Sequence, residues 1–212
     1  MTPVNFPSNL PCAQDEKHRA NQRDIELMSR VGRGDVEAFQ TLVETHQHIV
    51  LGVISKMLGA PWEAEDLAQQ VFLRVWKSAP RYKPNAKFTT WLFTIVRNLV
   101  FNETRRLRRK PTVSIEERAE SGFQVSVEAH SIFPDSPLPD EQALCLELGE
   151  IVDDAIQTLP ENQKTAIVLR YHQEMPYAEI AKIMAVSESA VKSTVFRART
   201  RLRSSLQPYL KG

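Results

Sequence analysis

Glycine is scarce in this chain, with 7 residues in 212. No Gly-rich phosphate loop is among them, which removes the usual sequence case for a nucleotide-binding enzyme. Cysteine is scarcer still. Cys12 and Cys145 lie far apart and in different kinds of segment, so they read as reduced thiols, not as a disulfide framework. His46 and His48 stand two residues apart on a predicted helix and so point to different sides. With no Cys or His partner nearby, no metal is expected, and no cofactor of any kind. The adjacent acids Glu116-Glu117 and Asp153-Asp154 lack helical spacing and read as solvated faces. His172, at a helix end, reads as a solvated or capping group. No Ser, His and Asp arrangement supports catalysis, and an enzyme is not expected. No apolar run is long enough to span a membrane. The start, MTPVNFPSNLPCAQDEKHRANQ, has prolines and charges where a signal peptide needs apolar residues. A cytoplasmic protein without membrane insertion is expected, with residues 1–23 as a disordered tail. Strand signals, internal repeats and low-complexity tracts are also lacking.

What remains is helical. Asp24 can cap a helix from Ile25 to Val31, and Asp35 the next, Val36 to Leu58, closed by Gly59 and Pro61. A third helix runs from Trp62 to Pro80, with Leu67, Val71 and Val75 on one side. Phe72 and Trp76 lie on a further side and suit either the core or a docking surface. After the loop Arg81 to Lys87 comes KFTTWLFTIVRNLVFNETRRLRRK, where Phe88, Trp91, Leu92, Ile95 and Leu99 form a core-facing stripe. Phe93, Arg97 and Phe101 fall roughly opposite. Taken alone, that second face fits base stacking beside arginines, or packing against another helix. These helices make one domain, 24–109.

The net charge of +1 conceals a segregation. Residues 81–110 carry nine bases against Glu103, residues 111–158 eleven acids against Arg118, and residues 159–212 nine bases against four acids. Basic, acidic, basic predicts two surfaces for a polyanion, separated by a segment that avoids or mimics one. That segment, 110–140, is acidic and punctuated by Pro111, Pro134, Pro137 and Pro139. It reads as a flexible linker able to span about 90–100 Å when fully extended.

The second domain, 141–212, ends in YAEIAKIMAVSESAVKSTVFRARTRL, which has the pattern of a helix-turn-helix. Ile180, Ala181 and Met184 pack its first helix. Ser187 caps the second, whose Val191, Val195, Ala198, Leu202 and Leu206 point inward. Ser189, Lys192, Ser193, Phe196, Arg197 and Thr200 face outward, a set suited to major-groove edges and flanking phosphates. The fold class is therefore all-α, two small helical domains on a flexible acidic linker.

In order along the chain, three segments resemble the extracytoplasmic-function sigma factors, initiation factors of bacterial RNA polymerase. WEAEDLAQQVFLRVWKSAPRY is similar to the family's polymerase-clamp helix. KFTTWLFTIVRNLVFNETRRLRR is similar to its minus-10 melting helix. LPENQKTAIVLRYHQEMPYAEIAKIMAVSESAVKSTVFRARTRLR is similar to its minus-35 domain. The resemblance implies binding to core RNA polymerase at clamp and flap, to promoter DNA both duplex and single-stranded, and to an anti-sigma factor. It puts Asp66, Leu67, Gln69, Gln70, Phe72 and Trp76 on the clamp. It puts Lys83, Asn85, Phe88 and Asn98 at a flipped minus-10 base, and Arg105, Arg106 and Arg109 on phosphate. Ser189, Lys192, Ser193 and Arg197 would face the minus-35 groove. The chain departs from the family at Gln70, commonly an acid, at Asn102-Glu103, and at Ala185, where many helix-turn-helices have glycine. A free-standing helix-turn-helix regulator would use the same last domain, but would leave residues 62–109 unexplained.

Overall fold

The computed structural model describes residues 13–59, 61–109 and 139–209. The expected linker lies outside the described residues except for its last two positions, as does the expected tail as far as residue 12. Eight α-helices span the described residues: α1 (Ala13–Val31), α2 (Val36–Leu58), α3 (Pro61–Ser78), α4 (Phe88–Arg109), α5 (Pro139–Gln157), α6 (Glu161–Ile167), α7 (Tyr177–Met184) and α8 (Glu188–Leu206). A 3-10 turn follows α3 at Ala79–Arg81, and a wider π-type turn, Val168–His172, continues α6. No strand occurs among the described residues, as the all-α reading requires.

The expected tail is helical from Ala13 onward, and Asp24 is no cap. It lies inside α1, 6% exposed, with its Oδ1 3.0 Å from Nε2 of the equally buried His46 on α2. Leu27, Met28 and Val31 are buried near it, so the C-terminal half of α1 is docked. Residues 13–23 carry no apolar stripe. Propagating an existing helix outward costs far less than nucleating one, so the docked half extends into a stretch with no helical signal of its own.

α2 is the hub. Asp35 caps it, accepting the Ala38 amide at 3.0 Å, and that hydrogen bond and the Arg30 guanidinium hold the Asp35 carboxyl below its ordinary range. Gly59, at φ 68°, closes the helix by donating its amide to the Ser55 carbonyl. Leu42, Val50, Val53 and Ile54 are fully buried against α1, α3 and α4.

The C-terminal helices form a second layer on the first. α6 and α7 pack on α8, while α7 lies against α4 and α5 against α2. Buried side chains of both halves make one contiguous core. This explains why α4 is buried over a wider arc than its predicted stripe: Phe93, Val96 and Val100 are as inaccessible as Phe88 and Leu92. Of the two readings of its second face, packing holds for Phe93. Phe101 remains partly exposed, with the guanidinium groups of Arg97 and Arg105 about 6 Å from its ring.

The helix-turn-helix turn is strained at one residue. Ala185 adopts φ 55°, ψ 45°, the left-handed conformation that closes α7, with the Val186 amide donating to the Ala181 carbonyl. A Cβ costs about 1–2 kcal/mol there, and glycine would return part of that as lost backbone entropy. Ala185→Gly is therefore expected to stabilise the protein by about 0.5–1 kcal/mol. Urea unfolding would register this as a higher midpoint at unchanged slope.

Candidate nucleic-acid interface

α8 presents the predicted reading face. The Ser187 hydroxyl accepts the Ala190 amide at 3.2 Å and so satisfies one of the free N–H groups at the helix start. Val191, Val195 and Ala198 are buried, which turns Ser189, Lys192, Ser193 and Arg197 outward; all four are exposed. Phe196 protrudes between them at 72% exposure. Lys192 is paired with Glu188 at 2.8 Å and sits over the Tyr177 ring, and the Glu188 contact raises its pKa. It is a charge held in place by that carboxylate.

The second basic surface is built on α4 and the loop before it. Tyr82, Phe88 and Trp91 form an aromatic cluster, with Tyr82 and Trp91 centroids 4.9 Å apart, and the His46 ring lies 5.1 Å from Phe88. Burial, and next the Asp24 carboxylate, push the Tyr82 phenol above its ordinary pKa. Phe88 is 1% exposed. It cannot stack on a base, and its expected place among DNA contacts is corrected: it anchors the loop from beneath. Lys83 and Asn85 are exposed on that loop, and Asn98 is exposed one side of the helix further on, next to the Arg97 guanidinium. Asn102, Arg105, Arg106 and Arg109 line an open concavity at the basic end. Arg106 is ion-paired with Glu103, which raises its pKa further.

One positioning residue escaped sequence reasoning. The Asn21 side-chain oxygen on α1 accepts the Phe88 amide at 2.9 Å, capping α4 from another helix. No local pattern announces a cap supplied from 67 residues away in sequence.

On α3, the predicted clamp residues divide. Asp66, Gln69 and Gln70 are exposed, and Trp76 is half-buried edge-on against Phe39 at 5.0 Å. Leu67 and Phe72 are 3% and 7% exposed and belong to the core, so neither is available to a partner. Their spacing merges with the α3 stripe because α2 and α4 embrace more than one side of it. Leu73, 56% exposed, is the large apolar group that does reach solvent there.

Comparison with known proteins matches both halves to one family. Sigma-70 region 2 matches residues 42–110, and Sigma-70 region 4 matches residues 149–202. The RNA polymerase sigma-H factor of Pseudomonas aeruginosa is 33% identical over 190 residues, covering 90% of this chain and 97% of that protein. The ECF RNA polymerase sigma factor SigW of Bacillus subtilis is 31% identical over 180 residues, covering 85% and 95%. The chain belongs to the extracytoplasmic-function sigma factors. The fold agrees: the sigma factor RpoE of Bartonella quintana, solved in complex with the anti-sigma factor NepR, superimposes with a TM-score of 0.58 at 23% identity, over 80% of this chain and 96% of that one. The family replaces the free-standing regulator as the reading of the last domain. As a sigma factor for RNA polymerase, this chain belongs to a class of initiation factors that are not themselves enzymes.

Removing the remote cap of the sigma factor's α4 should cost about 1 kcal/mol of stability in Asn21→Ala, the usual worth of a helix cap. Asn21→Asp keeps the acceptor and adds charge favourable to a helix N-terminus. Denaturant midpoints are expected to rank Asp and Asn together, above Ala.

Proposed function

We propose that this sigma factor divides promoter recognition between α8 and the α4 surface. The observation that carries the reading is α8: a serine-capped helix whose inward stripe is buried while its polar and basic face is open. Ser189, Lys192, Ser193 and Arg197 engage the minus-35 major groove. Lys83, Asn85 and Asn98 engage the opened minus-10 strand, and Arg105, Arg106 and Arg109 lie on phosphate. The exposed part of the clamp surface, Asp66, Gln69 and Gln70 with the edge of Trp76, meets the polymerase clamp. Gln70 brings an amide where the family commonly has a charge, so this contact relies more on hydrogen bonding than on attraction. The C-terminal half meets the flap.

An anti-sigma factor is the expected regulatory partner, since the structurally similar RpoE was solved with one. Residence in the cytoplasm follows from the work of the family. It is compatible with the finding that no helix among the described residues is long and apolar enough to cross a membrane.

Two experiments test the assignment. If Arg197 reads a base edge, Arg197→Ala should lose about 1–3 kcal/mol of discrimination between promoter and scrambled minus-35 sequence. If Lys192 meets only the phosphates flanking the groove, Lys192→Ala should weaken binding evenly across sequences. Footprints of the polymerase holoenzyme unchanged by either substitution would move the contact off this face.

For the melting surface, Asn98→Ala is expected to slow open-complex formation on duplex promoters and to matter far less on templates already unpaired at minus 10. Permanganate reactivity of unpaired thymines measures this directly. Equal loss on both templates would point to impaired polymerase binding.

A further inference from the structure

We propose that Asp24 and His46 are positioning residues for promoter opening, a buried polar pair that sets the loop before α4 and with it the preference for the captured minus-10 base. The inference rests on reading that loop, with Asn98, as the site of the opened strand. Lys83 and Asn85 are exposed on the loop, and little inside it fixes where they stand. Within Lys83–Lys87 the backbone makes one internal hydrogen bond, from the Asn85 amide to the Lys83 carbonyl at 2.8 Å. The ion pair of Lys87 with Glu179 leaves the lysine half open to solvent and adds little. The loop therefore takes its position from its ends. Tyr82 and Phe88 both pack on Trp91, with centroids 4.9 and 5.9 Å from it. The Tyr82 hydroxyl is buried with no hydrogen-bond partner among the described residues, so that side chain is held by ring packing alone. Phe88 rests in turn on the His46 ring, 5.1 Å away, and its amide donates to Asn21.

His46 is 5% exposed and Asp24 6%, with Nε2 and Oδ1 3.0 Å apart, so neither reaches the DNA surface. Asp24 stands on the α1 face that otherwise buries Leu27, Met28 and Val31. Stability alone would favour an apolar residue there, since a well-packed apolar pair is often at least as stable as a buried polar one. What the polar pair adds is direction. Rings packed on apolar neighbours can slide or turn at small cost. A hydrogen bond holds only within narrow limits of distance and angle, and in a site closed to water nothing else satisfies the two groups. The pair thus fixes the imidazole, the imidazole supports Phe88, and Phe88 holds the end of the loop that carries Lys83 and Asn85.

The test separates geometry from stability. Polymerase holoenzymes carrying wild-type or variant protein are bound to single-stranded minus-10 oligonucleotides with each of the four bases in turn at every position, and urea midpoints are measured on the free proteins. His46→Phe leaves the Asp24 carboxylate buried without its donor and is expected to lower the midpoint. Asp24→Leu/His46→Phe removes both polar groups and is expected to recover most of that loss. Base preference should not recover with it. The wild type should prefer its captured base by about fivefold or more, and the double variant by about twofold or less, as the loop leaves its productive geometry. Preference is a ratio among bases, so the change in net charge cancels. Two milder variants make the same comparison without emptying the core. Asp24→Asn keeps an acceptor for His46 and should keep the preference, whereas His46→Gln keeps a donor but takes the ring from beneath Phe88 and should lose it. Wild-type preference in the double variant or in His46→Gln would overturn the proposal and leave the loop's role intact. A wild type with no base preference would overturn the reading of the loop, and the proposal with it.

Discussion

The structure depends on one helix being packed from two sides. α4 buries Phe88, Leu92 and Leu99 in the N-terminal half, while its flank through Thr90 meets the C-terminal half through α7. A helix turns 100° per residue, so every third or fourth position must serve the same neighbour. With two neighbours, α4 has only a narrow remaining arc, and that arc carries Asn98, Asn102 and Arg105. The exposed set is what two packing surfaces leave over.

The anchoring of that helix is unusually indirect. Its first amide is capped by Asn21 of α1, and its first ring, Phe88, rests on His46, which is itself paired with Asp24 of α1. α1 therefore supports the loop before α4 through Asn21 and Asp24. The buried Asp24–His46 pair is costly to break from one side, because the partner left behind would lose its hydrogen bond in a place water does not reach. Such a pair favours one register between α1 and α2, and with it one position for the loop before α4.

The contacts between the halves are of two kinds. Apolar burial holds each half together and continues across the seam, whose edges are marked by charged groups: Lys56 with Asp153, Lys87 with Glu179, Arg108 with Glu161. Each such pair contributes little on its own. They fix the geometry of a seam whose interior is apolar, since the buried side chains of both halves form one contiguous core.

Helical periodicity, capping serine and aspartate, and the turn between α7 and α8 were legible in the sequence because they are local. Ser187, Asp35 and the inward stripe Val191, Val195 and Ala198 all do in space what their spacing says. The family was legible too, since three segments in order carry it. Tertiary structure alone decided which apolar residues remain available. Phe72 and Phe93 lie outside the main stripes and could have served either recognition or packing, and the family resemblance alone put Phe88 at DNA, yet neighbours distant in the chain cover all three. Leu73 and Phe196 stay in solvent because nothing in the described fold reaches them. The helix at 13–23, the remote cap from Asn21 and the seating of Glu179 on Lys87 have the same origin. Each depends on a partner far away in sequence, and periodicity reports which face of a helix is apolar but not how many neighbours will claim it.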